Sequence, residues 1–331
     1  MSIIDTNLRC VLYYPNRLIF IAFTVQYVLQ LYYIILITVG DFMRIIFKNC
    51  TLLDGTRDMA ARENIDVAIE NDKIVEIGKI EQKKEDKIID LTGKYLMPGL
   101  INLHVHLPAG GKPQKKPLKA DFLSKLALSS AFMRKFTLNM CHGYAMQGLM
   151  SGVTTIRTVG GLDDIDSKLR DKINAGQLDG PRILASNFAI GVTNGHMVGS
   201  VARAADTPEE AAKMVDELIA KKSDLIKLMV TGGVMDAKVK GEPGVLMMKG
   251  DMIKACCDRA HEHGLKVAAH VQSPEGVRTA VGNGVDSIEH GSTLTQTEID
   301  TFKAHDAVLI CTLSPALPMA KFARETLGLS E

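Results

Sequence analysis

From Met43 onward the chain alternates short apolar runs with polar breaks, and the spacing of those runs changes at Pro98. Over 43–96 the runs are brief. Arg44–Asn49, Asp66–Glu70, Lys73–Gly78 and Lys87–Leu91 read as strands, with Asn71-Asp72 and Thr92-Gly93 supplying turn chemistry. Such a segment buries little core alone, so residues 43–96 are expected to form a small β-domain that packs on something larger or pairs with strands from elsewhere.

Beyond Pro98, strand-like runs alternate with amphipathic stretches. Apolar runs recur at Leu100–Leu107, Thr154–Val159, Arg182–Ser186, Leu225–Val230, Lys266–Val271, Ser287–His290 and Ala307–Leu313. Helical periodicity fills Pro208–Lys222 and Asp251–His263, with Thr207 and Gly250-Asp251 as start signals. Seven β/α steps imply an α/β domain over 97–331 with a mostly parallel sheet, doubly wound or closed into a barrel. No Gly-x-Gly-x-x-Gly and no Gly-Lys-Ser/Thr loop opens a helix, which removes the usual signature of a nucleotide-binding open sheet. A barrel is favoured, because its chemistry collects at the C-terminal ends of the strands.

Polar residues stand where those strands end. His104 and His106 are two apart, so a strand puts both on one face. Lys227 lies inside the fourth strand, His270 ends the fifth and His290 ends the sixth. A lone histidine in such a place is more often a hydrogen-bonded core residue than a ligand. Four of them and a lysine at equivalent ends of four strands point to a metal site, and imidazole donors suit zinc.

Composition changes the picture little. The chain has 331 residues, 46% of them hydrophobic, and a net charge of +1, which gives no reason to expect a nucleic-acid partner. The densest basic cluster, Lys112 to Lys119, lacks interleaved aromatics and reads as a solvated loop. Six cysteines show no Cys-x-x-Cys spacing, which suits a reducing, cytoplasmic setting. Residues 18–40 disagree, because this uncharged stretch is long enough to cross a bilayer. Residues 1–42 are thus either an extension carrying a membrane anchor or sequence upstream of a start at Met43. The second is favoured, since a strand-and-turn pattern begins there immediately.

The stretches Met-Pro-Gly-Leu-Ile-Asn-Leu-His-Val-His106, Ser-Gly-Val-Thr-Thr-Ile-Arg157, Gly-Pro-Arg-Ile-Leu-Ala-Ser186, Ile-Lys-Leu-Met-Val-Thr-Gly-Gly233 and Val-Ala-Ala-His-Val271 together resemble the metal-dependent amidohydrolase superfamily. The closest likeness is to its imidazolonepropionase-like and prolidase-like branch. The resemblance implies a TIM-type (β/α)8 barrel with a small β-sandwich domain built from both chain ends. It also implies a binuclear site, usually zinc, that hydrolyses an amide, peptide or cyclic C–N bond. Carried over, His104 and His106 would hold one metal, His270 and His290 the other, and a carboxylated Lys227 would bridge them. His196, in the loop Gly191–Met197, matches a glycine–histidine segment that contacts substrate in this branch. Arg157 stands where related chains commonly continue with Asp, and Thr158 here leaves the role of that pair in doubt. His142, in the first helix region, could approach a substrate carboxylate, with a helical surface histidine as the default, and His261, His263 and His305 receive no ligand role.

Met97 to Glu331 falls short of the roughly 250 residues of a whole barrel, and no residue can take the part of the eighth-strand aspartate that binds metal and shuttles a proton. A barrel truncated before strand 8 is therefore expected. Two functions follow from it: an enzyme acting on a small-molecule or dipeptide substrate, or a non-catalytic metal-binding fragment. Membrane association is expected only if 18–40 is a true anchor, and homo-oligomer formation is left open.

Overall fold

The computed structural model describes residues 44–110, 120–233 and 244–313. The apolar stretch 18–40, the start at Met43, Cys10 and the whole basic cluster Lys112 to Lys119 lie outside them. Among the described residues no helix is long and apolar enough to cross a membrane. The chain divides into two compact units. One gathers the described residues up to Asn102 with Ala145–Thr155 and Lys172–Arg182, and the other holds Leu103–Tyr144, Ile156–Asp171 and the chain from Ile183 onward.

The first unit is built on strands β1 (Ile45–Leu52), β2 (Arg62–Glu70), β3 (Lys73–Gly78), β4 (Lys87–Asp90) and β5 (Tyr95–Leu96). Their order is β3-β2-β1-β4, with β5 also against β1. β2 runs antiparallel to β1 and β3, while β4 and β5 run parallel to β1. Alternation along β1 sends Ile45 and Phe47 into a cluster with Val67, Ile69 and Leu91, and sends Ile46 to the other face with Ala68 and Ile80. Both faces of this strand are thus covered at its start, which is why Ile45, Ile46 and Phe47 are all apolar. β1 reaches three residues further than the sequence predicts, because Asn49 takes φ 58° and the register shifts between Phe47 and Cys50 instead of ending there.

Beyond this, β6 (Leu100–Val105), β7 (Val153–Thr158) and β8 (Arg182–Leu184) form a three-stranded sheet in that order. A second sheet contains β9 (Ala189–Gly191), β10 (Ala202–Ala204), β11 (Leu225–Met229), β12 (Lys266–Val271), β13 (Ser287–His290) and β14 (Val308–Ile310), ordered β10-β9-β11-β12-β13-β14. Every pairing in it is parallel. The Asp224 N–H donates to the Ala185 carbonyl at 2.7 Å, joining the residue after β8 to the residue before β11. The sequence reads Gly191–Met197 as a loop and assigns no strand on either side of it. β9 and β10 are three residues each, too short for periodicity to register, and they bracket His196.

Helices α1 (Ala120–Leu128), α2 (Ala131–Met150), α3 (Ile165–Asn174), α4 (Pro208–Ala220), α5 (Gly250–Glu262), α6 (Pro274–Gly282) and α7 (Gln296–Ala304) fill the intervals. Thr207 and Ser273 cap α4 and α6 with Pro next in the chain, and Thr295 with Glu298 forms a capping box on α7. Ile226, Leu228, Val267 and Ala269 pack with Val215 and Leu218 of α4, Ile253 of α5 and Val277 and Val281 of α6. Period-two alternation then assigns the intervening residues, Lys227, Ala268 and His270, to the opposite face of the sheet.

Candidate metal centre

Register defines that opposite face. Lys227 pairs with Ala268, Met229 with His270, Ala268 with Ser287, and His270 with Glu289. Lys227, His270, Ser287 and Glu289 therefore share one side of three adjacent strands. Parity would throw His290 to the other side. Its φ of 70° turns the chain at that residue instead, and its ring lies 4.7 Å from both the His104 and the His270 rings.

Five imidazoles form a continuous series. His106 is 5.1 Å from His104, His290 touches both His104 and His270, and His196 stacks on His270 at 4.1 Å with 22° between planes. The sequence-predicted His104, His106, His196, His270 and His290 are thus brought together. His142 lies in α2, His261 bonds Asp286 at 2.8 Å, and the His305 ring meets the Thr301 carbonyl at 3.0 Å, so none of these three belongs to the series.

Acceptor-only partners fix the tautomers. His104 Nδ1 donates to Glu289 Oε2 at 2.8 Å and His106 Nδ1 to the Gly160 carbonyl at 2.9 Å, which makes Nε2 the nitrogen each would offer a cation. Gly160 has φ 126°, and a side chain there would press on the His106 ring. His270 reverses the arrangement, with Nε2 toward the Gly232 carbonyl at 3.3 Å. His290 Nδ1 meets the Thr312 hydroxyl at 2.7 Å. Burial, reinforced by neighbouring charge, pushes His106 down to about 4 and His290 down to about 3 and holds His270 below the ordinary histidine range, while burial lowers His104 against the opposing hydrogen bond to Glu289. A lowered pKa favours the neutral ring, the state a metal ligand requires.

Sequence reasoning missed Glu289. It is fully buried, and burial alone would raise its carboxyl. The His104 hydrogen bond and the charges of Lys227 and Arg157 outweigh that and hold it down to about 2. Arg157, left in doubt by the sequence, bonds Glu289 Oε1. The readable signal was an acid inside the apolar run Ser-Ile-Glu-His290.

As they stand, no three His, Cys, Asp or Glu side chains among the described residues form a ready cation cage; the rings touch one another instead. The fit to a cation rests on donor chemistry and on Lys227. That side chain is completely buried, and its Nζ has no hydrogen-bond partner among the described residues. It does not snorkel to water. Burial drives its pKa down to about 7 against the pull of Glu289. An orphaned, readily neutral amine beside four imidazoles suits a divalent-metal centre completed by a modified lysine.

The model of the Amidohydrolase family matches residues 95–324. A Bifidobacterium longum protein designated a prolidase superposes with TM-score 0.71 at 32% identity, over 88% of this chain and 66% of its own. A Xaa-Pro dipeptidase with methionine in its active site superposes with TM-score 0.73 at 26% identity, over 86% of this chain and 72% of its own. Ochratoxinase of Aspergillus niger is 27% identical over 221 residues, which is 60% of this chain and 43% of that protein. The chain thus spans less than half the length of that curated relative.

Proposed function

The chain belongs to the amidohydrolase family, and from that premise we propose that it is a metal-dependent hydrolase of carbon–nitrogen bonds in small amides, dipeptides or cyclic amides. The Lys227 amine carries the reading: fully buried and without a hydrogen-bond partner among the described residues, it has no evident structural use. The two sheets with their helices support a (β/α)8 barrel of the family's type, with residues 44–96 as a small β-sandwich. The strand that would close the barrel is not among the described residues.

His104 and His106 would hold one divalent ion and His270 and His290 a second, with Zn2+ the natural partner of imidazole. Carboxylated Lys227 would be shared between them. When bound, such ions polarise a carbonyl and bring the pKa of water toward neutrality. Near pH 7 part of the Lys227 amine is neutral. Its lone pair adds to the carbon of CO2 with release of one proton, turning the neutral buried amine into an anionic carbamate. His196, stacked on His270 from the loop between β9 and β10, is placed by this reading to contact substrate. The five described cysteines are all free, which favours a reducing compartment such as the cytoplasm.

The test is purified protein loaded with Zn2+ and bicarbonate, assayed for metal content and for turnover of Xaa-Pro dipeptides, N-acyl amino acids and cyclic amides. Turnover with two ions per chain is the expected result. Tight binding without turnover favours a metal-binding chain lacking catalysis. Absence of metal binding removes both.

A further inference from the structure

We propose that Glu289 is the positioning residue for His104, fixed by Arg157 and Ser287 so that His104 presents Nε2 to a cation. The inference rests on the reading of His104 as a metal ligand. Of the four proposed ligand histidines, His104 has a carboxylate against its ring, while His106 and His270 face backbone carbonyls and His290 a hydroxyl. A carboxylate behind Nδ1–H locks the tautomer and makes the opposite nitrogen a better donor.

The carboxylate is itself held on both sides. Oε2 accepts from His104, while Oε1 accepts from Arg157 and from the Ser287 hydroxyl at 3.2 Å. The guanidinium spreads its donors further. Arg157 Nε donates to the Leu103 carbonyl at 2.8 Å, and Nη1 donates to Ser287 Oγ at 3.1 Å. One planar cation therefore ties the backbone next to His104 to the carboxylate that holds the His104 ring. Both the main chain and the side chain of the ligand are located by the same group. A lysine at 157 supplies one point charge and cannot reach these partners in a fixed fork. Strand parity explains the availability of Glu289: it faces the site from β13, while the turn at His290 brings the next residue to the same place.

The experiment uses the full chain stripped by chelator. Zn2+ is titrated against a chromophoric competitor, and two-bond proton–nitrogen correlation of the imidazoles reads the tautomer of His104. Glu289→Gln keeps shape and an acceptor oxygen but removes the charge. It is expected to weaken one of two Zn2+ ions about 10–100-fold and to shift His104 from a pure Nδ1–H tautomer to a mixture. Arg157→Lys, which keeps a cation beside Glu289, is expected to move both readouts the same way by less. Unchanged Zn2+ affinity together with an unchanged tautomer in both variants overturns the proposal. If the wild-type chain takes up no Zn2+, the metal-centre reading fails by itself, and the tautomer signal still decides the part of Glu289.

Discussion

The imidazoles of His196 and His270 lie face to face, 4.1 Å between ring centres and 22° from parallel, one supplied by a loop and the other by the end of β12. The stack covers one face of His270, and burial first, with Lys227 nearby, holds that ring below the ordinary histidine range. His196→Ala uncovers this face while leaving the partners of the other rings in place. Catalytic efficiency is expected to fall about 10–100-fold, the worth of one strong hydrogen bond to substrate, with metal content unchanged. Metal analysis run beside kcat/KM checks this. Metal lost in step with activity would assign His196 to the cation instead.

Lys227 sets stability against function. Its displacement from 10.5 to about 7 corresponds to roughly 5 kcal/mol as an upper bound on the penalty for a charged amine in that place. Lys227→Met fills similar volume without a charge. The metal-free variant is expected to be more stable than metal-free wild type at pH 7 by about 1–4 kcal/mol, while no longer holding a stable pair of ions. His104→Ala and His270→Ala should lose metal without this gain. Denaturant melts and elemental analysis on the same preparations separate these outcomes, and full metal occupancy in all three variants would contradict the assignment.

The chemistry-bearing strands were legible because a buried parallel strand reads as an apolar run stopped by a polar residue. Lys266–Val271 and Ser287–His290 coincide with β12 and β13. Glu289 stood out only as an acid inside the strand Ser287–His290, and parity hid the side it faces. In a period-two strand, an inward His290 implies an outward Glu289, and nothing in the sequence marks the histidine φ of 70° that lets both face the site. Arg157 was discounted by comparison with the residue that follows it in relatives, whereas its role depends on a carboxylate more than a hundred positions away. Local pattern reaches single elements; partnership across the sheet needs the register.

A cap connects the site to its scaffold. Ser273 lies three residues after His270, and its hydroxyl accepts the Gly276 N–H at 3.2 Å, opening α6 directly behind β12. Ser273→Ala is expected to cost about 1 kcal/mol, read as a lower denaturation midpoint with an unchanged slope. Zn2+ affinity should stay within about twofold of wild type, since no ring partner is lost. A larger loss of affinity would mean that the start of α6 sets the position of His270.

Asp166 gives the pH dependence its sign. The residue sits in the first turn of α3, completely buried, and neither carboxylate oxygen has a hydrogen-bond partner among the described residues. Burial pushes its pKa from 3.8 up to about 6, outweighing the nearby Thr158. The folded state therefore keeps a proton that the unfolded chain releases near pH 4. Between about pH 4 and pH 6 the folded state binds more protons, so stability from this group falls as pH rises and levels off above pH 6. The displacement corresponds to about 3 kcal/mol. Asp166→Asn cannot ionise, so the stability difference between variant and wild type should grow in favour of the variant from pH 4.5 to pH 7. It should then stay constant to pH 8. Taking the difference cancels the other carboxylates, among them Glu289, whose lowered pKa acts with the opposite sign. Urea unfolding of both proteins across this range is the measurement. Parallel curves would mean that Asp166 is ionised and solvated in the folded chain, contrary to its burial.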